Sequence, residues 1–131
     1  ETVGDAYIAG QGGTPLTENN SPRSVVDFAV GMVAATKQWA KKRKQTVSCR
    51  AGVHTGECVG GIVGKDMQRY HLFGHVMSCL EVLESTAPEG EVQVSLACRV
   101  AVVQQAQMTG IPCVELVQRT EAHLTTSKGA L

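Results

Sequence analysis

The sequence predicts an α+β domain in which a mostly antiparallel sheet carries its helices on one face. The first observation is the order of the hydrophobic patterns, which alternate between strand and helix periodicity as strand, helix, two strands, helix and strand. The second is the length, because 131 residues suffice for one buried core but not for two. We therefore expect residues 1–131 to form a single domain without an internal boundary.

The N-terminal third predicts a β-hairpin and one long helix. Residues 1–9 contain two β-prone segments that flank a tight Gly4-Asp5 turn, a pattern typical of a hairpin. Ser21-Pro22 supplies an N-cap followed by proline at the first helical position, and apolar residues then recur at helical spacing as far as residue 40. The basic run at 41–44 suits the negative end of the helix dipole, so we expect the helix to end there.

The remaining residues predict shorter elements. We expect strands at 47–53, 58–63 and 70–73, a helix at 75–86, a strand at 92–94, a helix from the Ser95 cap to Met108, and final strands at 114–117 and 122–124. Small residues dominate the strands between 47 and 63, which indicates that another part of the protein packs close to them.

Composition sets limits on function. Twelve basic and twelve acidic residues balance, so no charge excess favours binding to nucleic acid or to anionic lipid. No apolar run approaches the ~20 residues needed to cross a bilayer, and the first residues lack a signal-peptide pattern. The five cysteines are widely spaced and odd in number, which favours free thiols in a reducing compartment over disulfides or a zinc site. Because the chain begins within a strand pattern, we expect a missing N-terminal portion.

Several patterns could carry chemistry, and each also has a plain structural interpretation. Asp5 lies at a strand-turn-strand corner, where a carboxylate can face a hard cation such as Mg²⁺, although a Gly-Asp pair by itself indicates only a turn. The glycine-rich residues 56–65 are not a phosphate loop, because Val59 and Asp66 stand where that motif requires glycine and a hydroxyl. The four histidines lack metal-ligand spacing, so we expect them to be structural or on the surface.

Three stretches, in order, resemble the signature sequences of class III adenylyl and guanylyl cyclase catalytic domains. They are residues 1–7 (ETVGDAY), 50–56 (RAGVHTG) and 68–75 (QRYHLFGH), and residues 60–64 and 84–95 extend the match as far as a degenerate SKG at 127–129. Each piece is weak alone, but their order and spacing argue against coincidence. The resemblance implies a ferredoxin-like class III cyclase core of which the first strand or strands are missing here.

The resemblance also implies a reaction, cofactors and a partner. In the family, two such domains pack head to tail and bind GTP or ATP with two divalent ions, Mg²⁺ or Mn²⁺, in the cleft that they share. The ribose 3′-hydroxyl attacks the α-phosphate, which releases pyrophosphate and a 3′,5′-cyclic nucleotide. We therefore expect a second cyclase domain as partner in a pseudo-symmetric heterodimer, within the same polypeptide or in another one. The expected location is the cytoplasmic side of a parent protein that is either free or membrane-anchored.

Four positions take expected roles from the resemblance. Asp5 resembles the second of two metal-binding aspartates, and the first is expected upstream of Glu1, so this chain alone is predicted to be inactive. Arg50 matches the arginine that approaches the phosphates from the metal-bearing half. Glu1 stands where guanylyl cyclases carry a guanine-reading glutamate and adenylyl cyclases a lysine. His71 stands at the other base-reading position, a cysteine or an aspartate in the two classes, and fits neither.

Two positions depart from the family. Ser78 and Val82 stand where the family has an asparagine that orients the ribose and an arginine for the transition state, and neither replacement can do that work. This predicts the metal-holding half of a heterodimer, in which Glu1 and His71 line a degenerate second cleft. Glu1 favours guanylyl over adenylyl cyclase ancestry. The alternatives are an inactive pseudocyclase that serves as a regulatory or dimerisation module, and an unrelated α+β domain.

Overall fold

A computed structural model of the chain describes residues 2–12, 15, 17, 19–119, 125–126 and 129–130. The helices are α1 (Pro22–Arg43), α2 (His75–Thr86) and α3 (Leu96–Thr109). The strands are β1 (Thr2–Val3), β2 (Ala6–Tyr7), β3 (Ala51–Val53), β4 (Val59–Val63), β5 (Arg69–Phe73), β6 (Val92–Val94), β7 (Thr125–Thr126) and β8 (Gly129–Ala130). This mixture confirms the predicted α+β class.

The described strands pair in twos. β1 with β2, β4 with β5, and β7 with β8 are antiparallel, whereas β3 with β6 is parallel. Three of the four ladders therefore follow the antiparallel prediction, and the parallel one lies against all three helices.

Helix α1 begins and ends where its sequence predicts. The Ser21 hydroxyl accepts a hydrogen bond from the Ser24 amide at 3.3 Å, and the Ser24 hydroxyl accepts one from the Ser21 amide at 3.2 Å. This reciprocal capping box satisfies two amides that have no partner inside the helix. At the other end, Lys44 takes a left-handed conformation with φ of 51° and donates its amide to the carbonyls of the last turn.

The core lies between α1, α3 and one face of the β3–β6 ladder. Its buried residues are Val26 and Ala29 from α1, Val53 from β3, and Cys98 and Val102 from α3. Ala51, Val92 and Val94 of the same two strands pack against this cluster. Since alternate residues of a strand face opposite sides, the residues between them must face the other way.

The second face of the β3–β6 ladder packs against α2. A Cβ added to Gly52 would lie 2.7 Å from the Leu83 Cβ, and the buried Gln93 donates its Nε2 to the Leu83 carbonyl at 3.0 Å. At this ladder the prediction of helices on one face only is therefore wrong. The physical reason is that parallel strands are covered on both faces, and the small Gly52 permits the second helix to approach.

Two predicted strands differ from the structure. The strand expected at 47–53 is limited to Ala51–Val53, and residues 111–119, which include the strand expected at 114–117, form none. That segment is fastened by Arg119, which donates to the Thr86 carbonyl at 3.0 Å and to the Gln93 side chain. The strand expected at 122–124 lies outside the described residues. No helix in the described part of the chain is long and apolar enough to span a bilayer.

Candidate functional site

Asp5 lies at the exposed tip of the β1–β2 hairpin. The register pairs Val3 with Ala6, which leaves Gly4 and Asp5 as the two turn residues, and Gly4 has the positive φ of 60° that the first position of a type II′ turn requires. Among the residues that the structure describes, none forms a hydrogen bond or an ion pair with the Asp5 carboxylate. Two unengaged carboxylate oxygens are the kind of donor that Mg²⁺ or Mn²⁺ takes from proteins, so Asp5 fits as one ligand.

Asp5 supplies one carboxylate rather than a complete metal site. Over the described residues, no group of three or more histidine, cysteine, aspartate or glutamate side chains is close enough to hold an ion. Any ion bound here would take its other ligands from a phosphate or from a carboxylate outside these residues, as small hard cations commonly do.

Arg50 is held by an ion pair with helix α2. Its Nε lies 2.9 Å from the Glu84 Oε1, and both side chains are about half exposed, at 41% and 44%. Arg50 and Gly52 are two residues apart and therefore face the same side of the extended chain, which is the side of α2. A Cβ on Gly52 would lie 2.6 Å from the Glu84 backbone nitrogen. The absence of that atom lets α2 come close enough for Glu84 to reach Arg50.

Ser78 and Val82 lie on a different side of α2. At about 100° per residue, they are turned about 120° and 160° around the helix axis from Glu84. Ser78 is exposed and Val82 is half-buried, and neither carries an amide or a charge. The structure therefore does not bring Arg50 together with Ser78 and Val82; α2 separates them.

Of the two base-reading candidates, the structure describes His71. His71 is half-buried on β5, opposite Gly61 of β4, and its ring centroid lies 6.2 Å from that of Phe73. Because His71 and Phe73 are two residues apart, they share one face of the β4–β5 ribbon. Glu1 lies outside the described residues.

A polar cluster at the carboxyl ends of β3 and β6 was not predicted from the sequence. The His54 Nδ1 lies 2.7 Å from the Ser95 hydroxyl, which also accepts from the Cys98 amide at 3.1 Å and so caps α3. Burial, and secondarily the nearby His75, lower the pKa of His54. Burial raises the pKa of the Cys98 thiol to about 11, partly opposed by a hydrogen bond with Thr55. The side chains of this cluster are neutral at pH 7, and its role is structural because Ser95 caps α3.

Comparison with known proteins adds independent information. The model of the family described as adenylate and guanylate cyclase catalytic domain matches residues 1–126. The chain is 34% identical over 96 residues to guanylate cyclase soluble subunit beta-2 of Rattus norvegicus, which covers 72% of this chain and 14% of that protein. It is 32% identical over 103 residues to receptor-type guanylate cyclase Gyc76C of Drosophila melanogaster, covering 77% of this chain and 7% of that one. It thus spans a small part of each relative.

Proposed function

The chain belongs to the adenylate and guanylate cyclase catalytic domain family, and from this premise we propose that it forms one half of a purine nucleotide cyclase site. Together with a complementary partner domain, it converts GTP, or ATP as the second choice, to the 3′,5′-cyclic nucleotide and pyrophosphate. GTP is favoured because the relatives described above carry the name guanylate cyclase. Both soluble and receptor-type names occur among them, and we propose a cytoplasmic position for the domain in either case.

One observation carries this proposal: α2 has Arg50 on one side and Ser78 and Val82 on another. Groups that act on one triphosphate must face one cleft, so two separated sides of a helix serve two different clefts. A nucleotide bound in the cleft at Arg50 then needs an amide that orients its ribose and a second positively charged side chain, and both must come from another domain. Ser78 and Val82, which stand at the family's positions for these groups, have neither an amide nor a charge. The need for a partner follows from this arrangement.

The residues of this chain have distinct roles in the proposed reaction. Asp5 holds a divalent ion together with a second carboxylate, expected on a strand that precedes Glu1 in the family. Such an ion, when bound, supplies charge neutralisation to the phosphates and lowers the pKa of an attached hydroxyl. Arg50 binds phosphate oxygens and spreads the charge that develops as pyrophosphate leaves. Glu1 and His71 belong to the second cleft, where they do not contact the reacting atoms.

The second candidate function is a catalytically inactive module for regulation or dimerisation. It is favoured by the same two positions, because Ser78 and Val82 leave one cleft without its catalytic groups. On this alternative the domain binds nucleotide or a partner domain without turnover. Only an activity measurement with a partner present separates the two candidates.

The test uses the full-length parent protein mixed with a cyclase domain that carries the asparagine and the arginine. With Mn²⁺ and either GTP or ATP, we expect cyclic product from the mixture and none from the 131-residue chain alone. Asp5→Ala should lower the rate by about 100-fold or more, the order expected for losing a charge-stabilising group. Asp66→Ala is the matched control, since Asp66, like Asp5, is an exposed aspartate that lies outside the helices and strands. Activity that persists in Asp5→Ala would contradict the metal assignment.

A complementary experiment restores the missing groups. Ser78→Asn combined with Val82→Arg should raise the activity of the parent protein without any added partner, because each protomer could then complete the cleft of its neighbour. If the wild-type mixture gives no product with either nucleotide but still binds one, the inactive-module candidate is supported instead.

A further inference from the structure

We infer that Glu84 is a positioning residue for Arg50. Its carboxylate accepts a hydrogen bond from the Arg50 Nε and so orients the two terminal Nη groups of the guanidinium toward a phosphate. Glu84 has this role only if Arg50 binds phosphate, so the inference rests on the proposed function. No motif marked Glu84 as a partner of Arg50, because the two residues are 34 positions apart in the chain.

The geometry of the contact leaves the useful edge of Arg50 open. A guanidinium is a rigid plane with five N–H donors, and its two terminal groups form a parallel pair that matches two phosphate oxygens. Glu84 takes the Nε at 2.9 Å, and Arg50 has no other hydrogen bond or ion pair within the described residues. A carboxylate bound across the terminal groups would instead occupy the edge that a phosphate needs.

The origin of the Glu84 side chain is fixed by backbone packing. Leu83 is 1% exposed and packs on Gly52. A Cβ added to Gly52 would lie 2.7 Å from the Leu83 Cβ and 2.6 Å from the Glu84 backbone nitrogen. Helix α2 therefore cannot slide along β3 without opening this contact. The carboxylate of Glu84 projects from a fixed point, which restricts where it can hold the guanidinium.

Stability alone does not account for this pair. A half-exposed ion pair contributes little to folding, because water and salt screen it. The other described pair, Arg23 with Asp27 at 3.5 Å, joins neighbouring turns of one helix and fixes no long-range geometry. The pair between Arg50 and Glu84 connects the start of β3 to α2. Its consequence is an arginine that is already oriented before ligand arrives, which reduces the entropy lost on binding.

The test measures binding of inorganic tripolyphosphate with Mn²⁺, and the KM for nucleotide with the partner domain, on the full-length protein. We expect Glu84→Ala to raise both the dissociation constant for tripolyphosphate and the KM for nucleotide by about 10-fold, the effect of losing one well-placed charged hydrogen bond. Glu84→Gln keeps an oxygen that can accept from Nε, so it should stay within about 3-fold of wild type. Glu81→Ala is the matched control, because Glu81 is an exposed glutamate on the same helix.

One further variant and one further measurement separate the possible failures. If Arg50→Ala leaves tripolyphosphate binding unchanged, the proposed role of Arg50 fails, and the inference fails with it. If Arg50→Ala weakens binding but Glu84→Ala does not, only the inference is overturned. A merely structural role is recognised from the thermal unfolding of Glu84→Ala. Weaker binding with an unchanged thermal midpoint supports positioning, whereas a lowered thermal midpoint with unchanged binding overturns it.

Discussion

The β3–β6 and β4–β5 ladders both contain glycine and β-branched residues, but among the described elements helices cover only the first. β3–β6 has α1 and α3 on one face and α2 on the other, and Val53 and Gln93 are 5% and 6% exposed. β4–β5 is longer, yet Val59 and Ile62 are each 69% exposed although they face opposite sides of the ribbon. A ladder therefore contributes to the stability of this domain according to the helices packed on it, and not according to how many residues it contains.

The first prediction gives the largest expected difference between the two ladders. Leu83 covers β3–β6 from α2 and is 1% exposed, so Leu83→Ala should lower the free energy of unfolding by about 2–5 kcal/mol through lost burial and a cavity. Ile62→Ala removes a side chain of similar size from the uncovered ribbon and should change it by less than about 1 kcal/mol. Urea denaturation measures both. Equal losses would show that the ribbon also belongs to the stable core.

The second prediction compares glycines in the two ladders. Gly52→Ala places a methyl group 2.6 Å from the Glu84 nitrogen and 2.7 Å from the Leu83 Cβ, so α2 must move away. We expect a loss of about 1–3 kcal/mol, typical of overpacking. Gly61→Ala meets nothing within 4 Å and should stay within about 0.5 kcal/mol of wild type. Thermal unfolding of both variants gives the comparison, and a neutral Gly52→Ala would argue against close packing of α2 on β3.

The parts of the fold that local chemistry determines were predictable from the sequence. The capping box at Ser21, the basic end of α1 and the turn glycine of the hairpin all act within a few residues, and the bounds of α1, of α2 and of β6 followed from such signals. The segment 114–117 shows the limit. Apart from Glu115 it is apolar, and it lacks helical structure, but a strand also requires a partner backbone. The structure instead shows Arg119, just after this segment, donating a hydrogen bond to the Thr86 carbonyl.

The candidate site divides in the same way. The positions of Arg50, Ser78 and Val82 could be assigned from motif order, but their separation by α2 could not, because it depends on how that helix docks on Gly52. The pairing of Glu84 with Arg50 could not be predicted for the same reason, since the two residues are 34 positions apart in the chain. Long-range packing therefore decides which of the assigned residues can act together.

The last prediction concerns pH and has the smallest expected effect. His54 directly follows the covered strand β3 and contacts Ser95, and burial, with His75 as a second cause, lowers its pKa below the ordinary 6.5. Above that pH both folded and unfolded chains hold a neutral His54, and its contribution to stability is fully present. As the pH falls below 6.5, the unfolded chain takes up the proton first, so stability is lost until the pH passes the lowered pKa of the folded state. His54→Gln should reduce this part of the acid decline, measured as the difference in thermal midpoint between about pH 7.5 and about pH 5.5. An unchanged decline in His54→Gln would mean that the end of the covered ladder tolerates a charge as readily as the uncovered ribbon does.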